Sequence, residues 1–531
     1  MASTPETLAA GAAPARSGVG GRNWLPSLFD LMVVSLPAWY FTAGDGGLLG
    51  LLVDGDTGWH TRTGDWIRQN ASFVYRDIFS ISKPGEPWFA WEWLCDVLFS
   101  LLSQWAGWKG LAVFGIVLST AFFGITFRHL VWRGANIYIS LSLSLLVFGA
   151  STVHLLSRPH LWTMVFLAAA AFLIQRDLRR PARWLWALVP LTALWANLHG
   201  GWLAGVALLG LTAVGSALES QMRGGSWRAG LRYAAAAALC LAASFVNPYG
   251  WALHQHTLAY LRADWIKEFV SEFQSPSFRG EMMMQYELLL LAAAATTGLM
   301  LRRRQFVGPL WMLFWAHQSL VSARHVTLFA AVAAPFIADE LQRAWSLFVR
   351  RSPRNSTPRI LDTIALEARP AISRMTVWLV VPFVLAVLPG FPINWPADAP
   401  GLRFPGKIIA AHKEFLKSRR LFIEDYWAGY LIYHSYPNQK VFFDGRTDFY
   451  GEALTKDYLA VIHGKHRWKE ILNQHRIDAV LVKPRWAVAT MLKTDPEWRV
   501  VAYDTQAILL ERISPPGWMR AQGVQNPGGR P

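Results

Sequence analysis

Charge is what this sequence has least of: Asp, Glu, Lys and Arg supply only 16% of its 531 residues, against about 25% in an average soluble protein. That deficit points to lipid and argues against a soluble enzyme. Cysteine is nearly missing too. Cys95 and Cys240 lie far apart in different kinds of segment, which excludes a disulfide framework and a thiolate metal site. HExxH and CxxC spacings are absent, removing the usual zinc patterns. No Gly-rich turn follows a strand in the manner of a phosphate-cradling loop, so direct use of cytosolic nucleotides is disfavoured. The opening stretch MASTPETLAAGAAPARSGVGGR has no apolar core and reads as a disordered tail, not as a cleavable leader.

What is present is apolar and aromatic. Hydrophobic residues reach 53% and aromatics 14%, with 28 Trp, a side chain that concentrates where apolar protein meets a polar boundary. The mean hydropathy is only +0.23, too low for a chain lying wholly in a bilayer, so a membrane portion plus a soluble domain is expected. Apolar runs able to cross ~30 Å of hydrocarbon begin near Ser27, Lys109, Ile137, Leu161, Trp184, Trp202, Leu231, Tyr286, Phe306, Val326 and Met375, about eleven transmembrane helices in all.

The net charge of +16, from 51 basic and 35 acidic residues, is explained by position. Every second loop is basic: Arg128 and Arg133, then Arg176 to Arg183, Arg223 to Arg232, Arg302 to Arg304, and Arg343 to Arg374. The positive-inside rule makes these loops and the N-terminus cytoplasmic, and an odd number of spans places everything after Pro389 on the other side. Nucleic-acid binding needs basic residues gathered on one face with stacking aromatics; here they are spread over short loops, and no nucleic-acid partner is expected. The chain thus reads as a polytopic α-helical membrane protein with a C-terminal extracytoplasmic α/β domain. Its parts are a disordered cytoplasmic tail (1–24), a transmembrane domain (25–390) with a first extracytoplasmic loop (44–108), the α/β domain (391–513), and a disordered tail (514–531).

In the first loop, HTRTGDWIRQN and PWFAWEWLCDVLFSLLSQW have the apolar spacing of short helices lying in the interface plane. In the outer domain, strand-like LFIED, KVFFD, DAVLVK and WRVVAYD alternate with helix-like HRWKEILNQH and WAVATMLK.

Polar residues gather at the predicted extracytoplasmic ends. Asp54 and Asp56, in DGDTGWH, are carboxylates near a bilayer surface, where desolvation raises basicity toward general-base work on a hydroxyl. They can also share a divalent metal with His60, although Asp-Gly-Asp is equally an ordinary turn. Arg158 with His160 (SRPH) and Arg324 with His325 (SARH) put guanidinium groups where the topology rule disfavours them. Such a placement suits an anion, and lipid phosphate matches guanidinium geometry, with snorkelling to headgroups as the alternative. Further pocket candidates are His60, Glu92, His199, Asn247 and Glu268. Glu268 and Glu272 lie four apart on IKEFVSEF, which would place them on one helix face, and Asn247 precedes a turn that it can cap. In FFDGRTDFYG, Asp444, Arg446 and Asp448 either reach over the membrane pocket or pair locally in a tight turn.

The motifs DGDTGWHTRTGDW, RDIFS and WEWL in the first loop, SRPHL, NLHGGW, NPYGW and EFQSPSF further on, and YWAGYLIYHSYPNQKVFFDGRTDFYG in the outer domain resemble a bacterial group of GT-C class integral membrane glycosyltransferases, over about Leu28 to Arg512. The resemblance implies a polyprenyl-phosphate-linked sugar donor used at the outer face, and a first-loop Asp as base for the incoming hydroxyl or as metal ligand, here Asp54 or Asp56. The expected function is transfer of a sugar to a hydroxyl acceptor on a glycan, lipid or protein, with Arg158, His160, Arg324 and His325 at the donor phosphate. Alternatives are a non-catalytic partner in envelope polysaccharide assembly and a lipid-linked sugar transporter. A transporter would place ionisable residues at mid-membrane and pair broken helices in repeated halves, and neither is seen in the sequence.

Overall fold

The computed structural model of the protein describes residues 25–43, 47–388, 393–401, 403–417 and 419–513; the two expected tails lie outside them. A helix lies at or within a few residues of each position where an apolar run begins. Among the described residues, five are long and apolar enough to cross a membrane: Trp93–Arg133, Ile137–His154, His160–Arg179, Gly200–Met222 and Met283–Arg302. The bent pair Thr357–Ser373 and Val377–Val387, at 80°, would make a sixth. The expected eleven is larger because apolar runs in sequence become short helices in space. Leu28–Ala43, Leu231–Ala243 and Val307–Val321 have 16, 13 and 15 residues, fewer than the ~20 of a straight crossing. Val326–Arg351 carries Asp339, Glu340 and Arg343 in its second half.

The helical part has two chemically distinct ends. At one, the basic loops meet each other through ion pairs. Arg133 Nε donates to Asp339 at 2.9 Å, Arg232 grips both oxygens of Asp177 at 2.9 Å, and Arg303 reaches Glu340 at 2.5 Å. Glu219 accepts from the amides of Phe306 and Val307 at the start of helix Val307–Val321, where the peptide dipoles favour a carboxylate. The other end gathers the first loop and the short turns that precede or follow the helices.

In the first loop, HTRTGDWIRQN forms most of helix Thr57–Asn70. The second expected surface helix is the opening part of Trp93–Arg133, set off by a break at Ala106 and Gly107, where Gly107 takes φ +56°. The outer domain is a four-stranded sheet in the order β1-β2-β4-β3. β1 (Leu421–Ile423) runs parallel to β2 (Ala479–Val482), and β4 (Ile508–Arg512) lies antiparallel between β2 and β3 (Trp498–Tyr503). β1 and β2 are buried throughout, as near-continuous apolar parallel strands should be. The expected strand KVFFD is not one. Val441 bridges Leu421 on one side and Ser80 of the first loop on the other, so its backbone groups join the outer domain to the loop. β4, in AILLER, was not anticipated.

That junction is extended by helix packing. Helix Thr57–Asn70 lies between Trp93–Arg133 and the outer-domain helix Asp425–Ser435, and Gly58 meets the backbone of Gly429 so closely that a Cβ would overlap its carbonyl. A backbone obstacle cannot swing aside, so overpacking here should cost about 1–3 kcal/mol. Gly58→Ala is expected to lower the apparent melting temperature of the purified protein. Gly210→Ala, with no atom within 4 Å of the added carbon, should leave it unchanged or slightly raised, and equal behaviour of the two variants would refute the close-approach account.

Candidate active site

The Asp-Gly-Asp turn, the SRPH turn and the segment around Glu272 meet at the end of the molecule opposite the arginine loops. Asp54 Oδ1 accepts from the Asp56 amide at 2.6 Å, which fixes the turn and leaves Oδ2 3.4 Å from Arg158 Nε. Asp56 stands at the N-terminus of helix Thr57–Asn70. Its Oδ1 accepts from Trp59 Nε1 at 3.1 Å and its Oδ2 from Arg158 Nη2 at 2.7 Å. The SRPH turn is held in place by Ser157, whose amide donates to Leu51 O and whose hydroxyl donates to Leu111 O. Arg158 Nη1 then donates to Glu272 Oε1 at 2.7 Å.

Glu272 links the two arginines. Its Oε2 lies 3.3 Å from Arg324 Nε, and Ser322 Oγ donates to its backbone carbonyl at 3.0 Å, tying the SARH turn to this segment. Arg324 stacks over Phe273, 4.6 Å from the ring centroid, and faces the Tyr260 hydroxyl at 3.5 Å. Burial works against the charge on Arg158, but Asp54, Glu272 and Asp56 outweigh it and hold the guanidinium firmly protonated. Arg158, helped by Arg324, holds the Glu272 carboxyl well below the usual range. Burial instead pushes Asp54 up to about 7, against the pull of Arg158.

A second polar line runs beside the first. Asp96 Oδ1 meets His60 Nδ1 at 2.6 Å, His60 Nε2 faces Glu92 Oε2 at 3.6 Å, and Glu92 Oε1 faces His199 Nε2 at 3.5 Å. His199 Nδ1 accepts from the Gly201 amide at 3.0 Å, which assigns the proton to Nε2 and aims it at Glu92. Burial pushes Glu92 up to about 8 despite Arg158 and Arg324, and burial lowers both His60 and His199 well below their ordinary value. The line is therefore a protonated carboxyl between two neutral imidazoles at pH 7.

These groups surround two adjoining spaces. One is a polar chamber of about 70 Å³, lined by Asp56, His60, Trp88 and the Gly445–Arg446 backbone and side chains. The other is a cavity of about 370 Å³ that continues along Leu203, Ala207, Leu261, Phe314 and Leu328. Glu92, Arg158, His160, His199, Tyr260 and Arg324 line both. The site thus has a charged neck with a polar space on one side and a largely apolar one on the other.

The outer domain closes the polar chamber. Arg446 Nη2 donates to Asp444 Oδ2 at 2.7 Å and to Asp77 Oδ1 of the first loop at 2.8 Å, between the faces of Trp88 and Phe449. A Cβ on Gly445 would overlap the Asp56 carboxylate, so only glycine lets this turn sit on the site. Asp448 Oδ2 lies 3.1 Å from His256 Nε2. Of the two readings of FFDGRTDFYG, local pairing and reach over the pocket both occur.

Asp56, His60, Glu92, Arg158, His160, His199 and Arg324 come together. Asp54 adjoins them through Arg158. His160 Nε2 donates to His154 O at 2.7 Å, leaving Nδ1 buried without a partner. His325 turns to Gln318 O at 3.2 Å and lines only the larger cavity; burial lowers it to about 4. Asn247 lies outside both spaces. Its Oδ1 accepts from the Tyr249 amide and its Nδ2 donates to Ser244 O, so it pins its own turn. Glu268 is exposed and also outside. The expected shared helix face with Glu272 does not exist, because the helix ends at Phe269 and Glu272 sits in a separate turn, Ser271–Phe273. Tyr260 is the site residue that sequence reasoning missed; Glu272 was read only as the partner of Glu268 on one helix face and as part of EFQSPSF, and Arg446 as one of the residues of FFDGRTDFYG.

The trio Asp54, Asp56 and His60 does not fit a metal as arranged. Arg158 stands against both carboxylates where a cation would bind, and both His60 nitrogens face other carboxylates. Among the described residues, no group of three or more His, Cys, Asp or Glu side chains is placed to hold an ion.

No protein-family model and no curated protein sequence matches the chain. Among solved structures, the oligosaccharyltransferase of Archaeoglobus fulgidus tethered with an acceptor peptide containing the NVT sequon superposes with a TM-score of 0.50 at 11% identity, covering 85% of this chain and 68% of that one. The archaeal oligosaccharyltransferase AglB from Archaeoglobus fulgidus, in complex with an inhibitory peptide and a dolichol-phosphate, gives 0.48 at 12% identity, covering 86% and 69%. The likeness is one of fold, and it agrees with the apolar helices long enough to cross a membrane.

The raised carboxyls set a pH dependence. Glu92 and Asp54 ordinarily titrate near 4.5 and 3.8 and hold their protons in the folded protein to about 8 and about 7. The folded state binds more protons in that window, so both groups make stability fall as pH rises from the ordinary values through the folded ones. Glu92→Gln removes its share, and its apparent melting temperature is expected to match wild type near pH 4.5 and exceed it above pH 8. A variant that loses stability with pH as steeply as wild type would refute the assignment.

Proposed function

We propose that the protein is a glycosyltransferase of the bacterial cytoplasmic membrane, with its N-terminus in the cytoplasm. It moves a sugar from a polyprenyl-phosphate-linked donor to an acceptor hydroxyl at the extracytoplasmic face. The observation that carries this reading is the convergence of Arg158 and Arg324 at the neck between a polar chamber, which Asp56 lines, and a largely apolar cavity. A lipid-linked sugar has that same division of polarity, with its phosphate at the boundary. The fold shared with an oligosaccharyltransferase agrees with it, and the tight clustering speaks against a non-catalytic or transport role.

The reaction is a single displacement at the anomeric carbon. The acceptor oxygen forms a bond to that carbon as the bond to the phosphate oxygen breaks, and the bonding pair leaves on the lipid phosphate. Asp56, which faces the chamber, takes the hydroxyl proton. Arg158 is committed to three carboxylates and positions Asp56. Arg324 has one carboxylate at 3.3 Å and is the freer guanidinium for the leaving phosphate, with the Tyr260 hydroxyl beside it. Asp54 acts through Arg158.

Reconstituted protein assayed with a panel of polyprenyl-phosphate sugars tests this. Asp56→Asn should lower kcat by about 100-fold or more, the usual range for loss of a general base, and Asp54→Asn should have the smaller effect. Unchanged transfer in both variants would sink the base assignment, and no transfer with any donor would sink the function.

A further inference from the structure

A large cleft in the C-terminal domain belongs to neither of the spaces described above. It holds about 1060 Å³ and lies at the carboxyl edge of the parallel strands. β1 ends at Ile423 and is followed by Glu424 and Tyr426; β2 ends at Val482 and is followed by Lys483 and Arg485. The β3–β4 turn and Gly401, Arg403, Phe404 and Lys407 complete the walls. A crevice outside the carboxyl ends of adjacent parallel strands is where open α/β sheets bind ligands.

The charges in it are unequal. Both acids have partners of their own: Glu424 pairs through Oε1 with Lys483, its Oε2 being buried without a hydrogen bond, and Asp504 Oδ1 accepts from the amides of Gln506 and Ala507 at 2.8 and 2.7 Å. The cations Arg403, Lys407 and Arg485 line the cleft and have no carboxylate partner among the described residues. Three dispersed cations in a cleft this open suit several anions spaced along a chain, more than one compact phosphate. Thr505 and Gln506 add a hydroxyl and an amide, the neutral groups that pair with sugar hydroxyls. Tyr426 belongs to the cleft and to the candidate active site at once, since its hydroxyl donates to Val53 O and its backbone packs on Gly55.

We propose that this cleft binds an anionic saccharide, the acceptor or product glycan of the reaction. The anion class rests on the cleft alone, and the saccharide class rests on the glycosyl-transfer reading.

Titration calorimetry of the full-length protein in neutral detergent, without donor, tests it with three hexamers: galacturonate, maltose-type glucose and glutamate. Hexagalacturonate should bind about tenfold or more tightly than the neutral hexamer, and the joint variant Arg403→Gln, Lys407→Gln, Arg485→Gln should weaken it about tenfold or more. Arg403→Lys with Arg485→Lys should restore binding. Lys456→Gln, Lys465→Gln and Arg467→Gln, elsewhere on the domain, should not change it. Equal binding of the neutral hexamer, an unchanged affinity in the cleft variant, or an equal loss in the distant one overturns the site, and equal binding of hexaglutamate overturns the saccharide class. Because no donor is present, a protein that binds hexagalacturonate but never transfers sugar refutes the transferase and leaves the anion site standing.

Discussion

One buried guanidinium fastens the two halves of this protein together. Arg446, from the outer domain, lies between Asp444 of its own turn and Asp77 of the first loop, walled by Trp88, Phe79 and Phe449. Asp77 is held in turn by the amide and hydroxyl of Ser80, and the adjacent backbone pairs Val441 with Phe79 and Ile81. Removing one partner of such a buried group leaves an uncompensated charge, typically at a cost of about 3–5 kcal/mol. The rest of the site follows from this clamp. It sets Gly445 against Asp56 and Asp448 beside His256, and so forms the outer wall of the polar chamber.

Inside that wall the electrostatics are organised around an excess of carboxylates. Asp54, Asp56, Glu272 and Glu92 lie near Arg158 and Arg324. Charge is distributed by burial and distance: Glu272, directly paired with Arg158, stays ionised, whereas Glu92 and Asp54 are pushed toward the neutral form. The histidines on either side are neutral by burial, so they orient and accept without adding charge.

Much of the architecture was legible. The helices stand where the apolar runs begin, the basic loops gather at one end, and the first-loop helix and the parallel pair LFI and AVLV formed as their patterns require. The run KVFFD has strand composition, but its backbone partners are distant in sequence, and it became a bridge to Ser80. The pair Glu268 and Glu272 was misread because the four-residue spacing implies a common face only if the helix continues, and this one stops at Phe269. Asn247 was read both as a cap and as a pocket residue, and only the cap has geometry behind it.

The sequence by itself pointed to the class of molecule: low charge and long apolar runs suggest a membrane protein of several helices, and the alternating runs near the C-terminus a small sheet, because these are composition-level consequences of the solvent. It also singled out Arg158 and Arg324 as misplaced charges and Asp54 and Asp56 as candidate bases. Which of those charges meet was decided only in three dimensions. Glu272, 114 residues from Arg158, and Arg446, 369 residues from Asp77, are unremarkable in their own segments, and their roles come from the partners that the close approach of glycine-bearing backbones, Gly58 to Gly429 and Gly445 to Asp56, brings within reach.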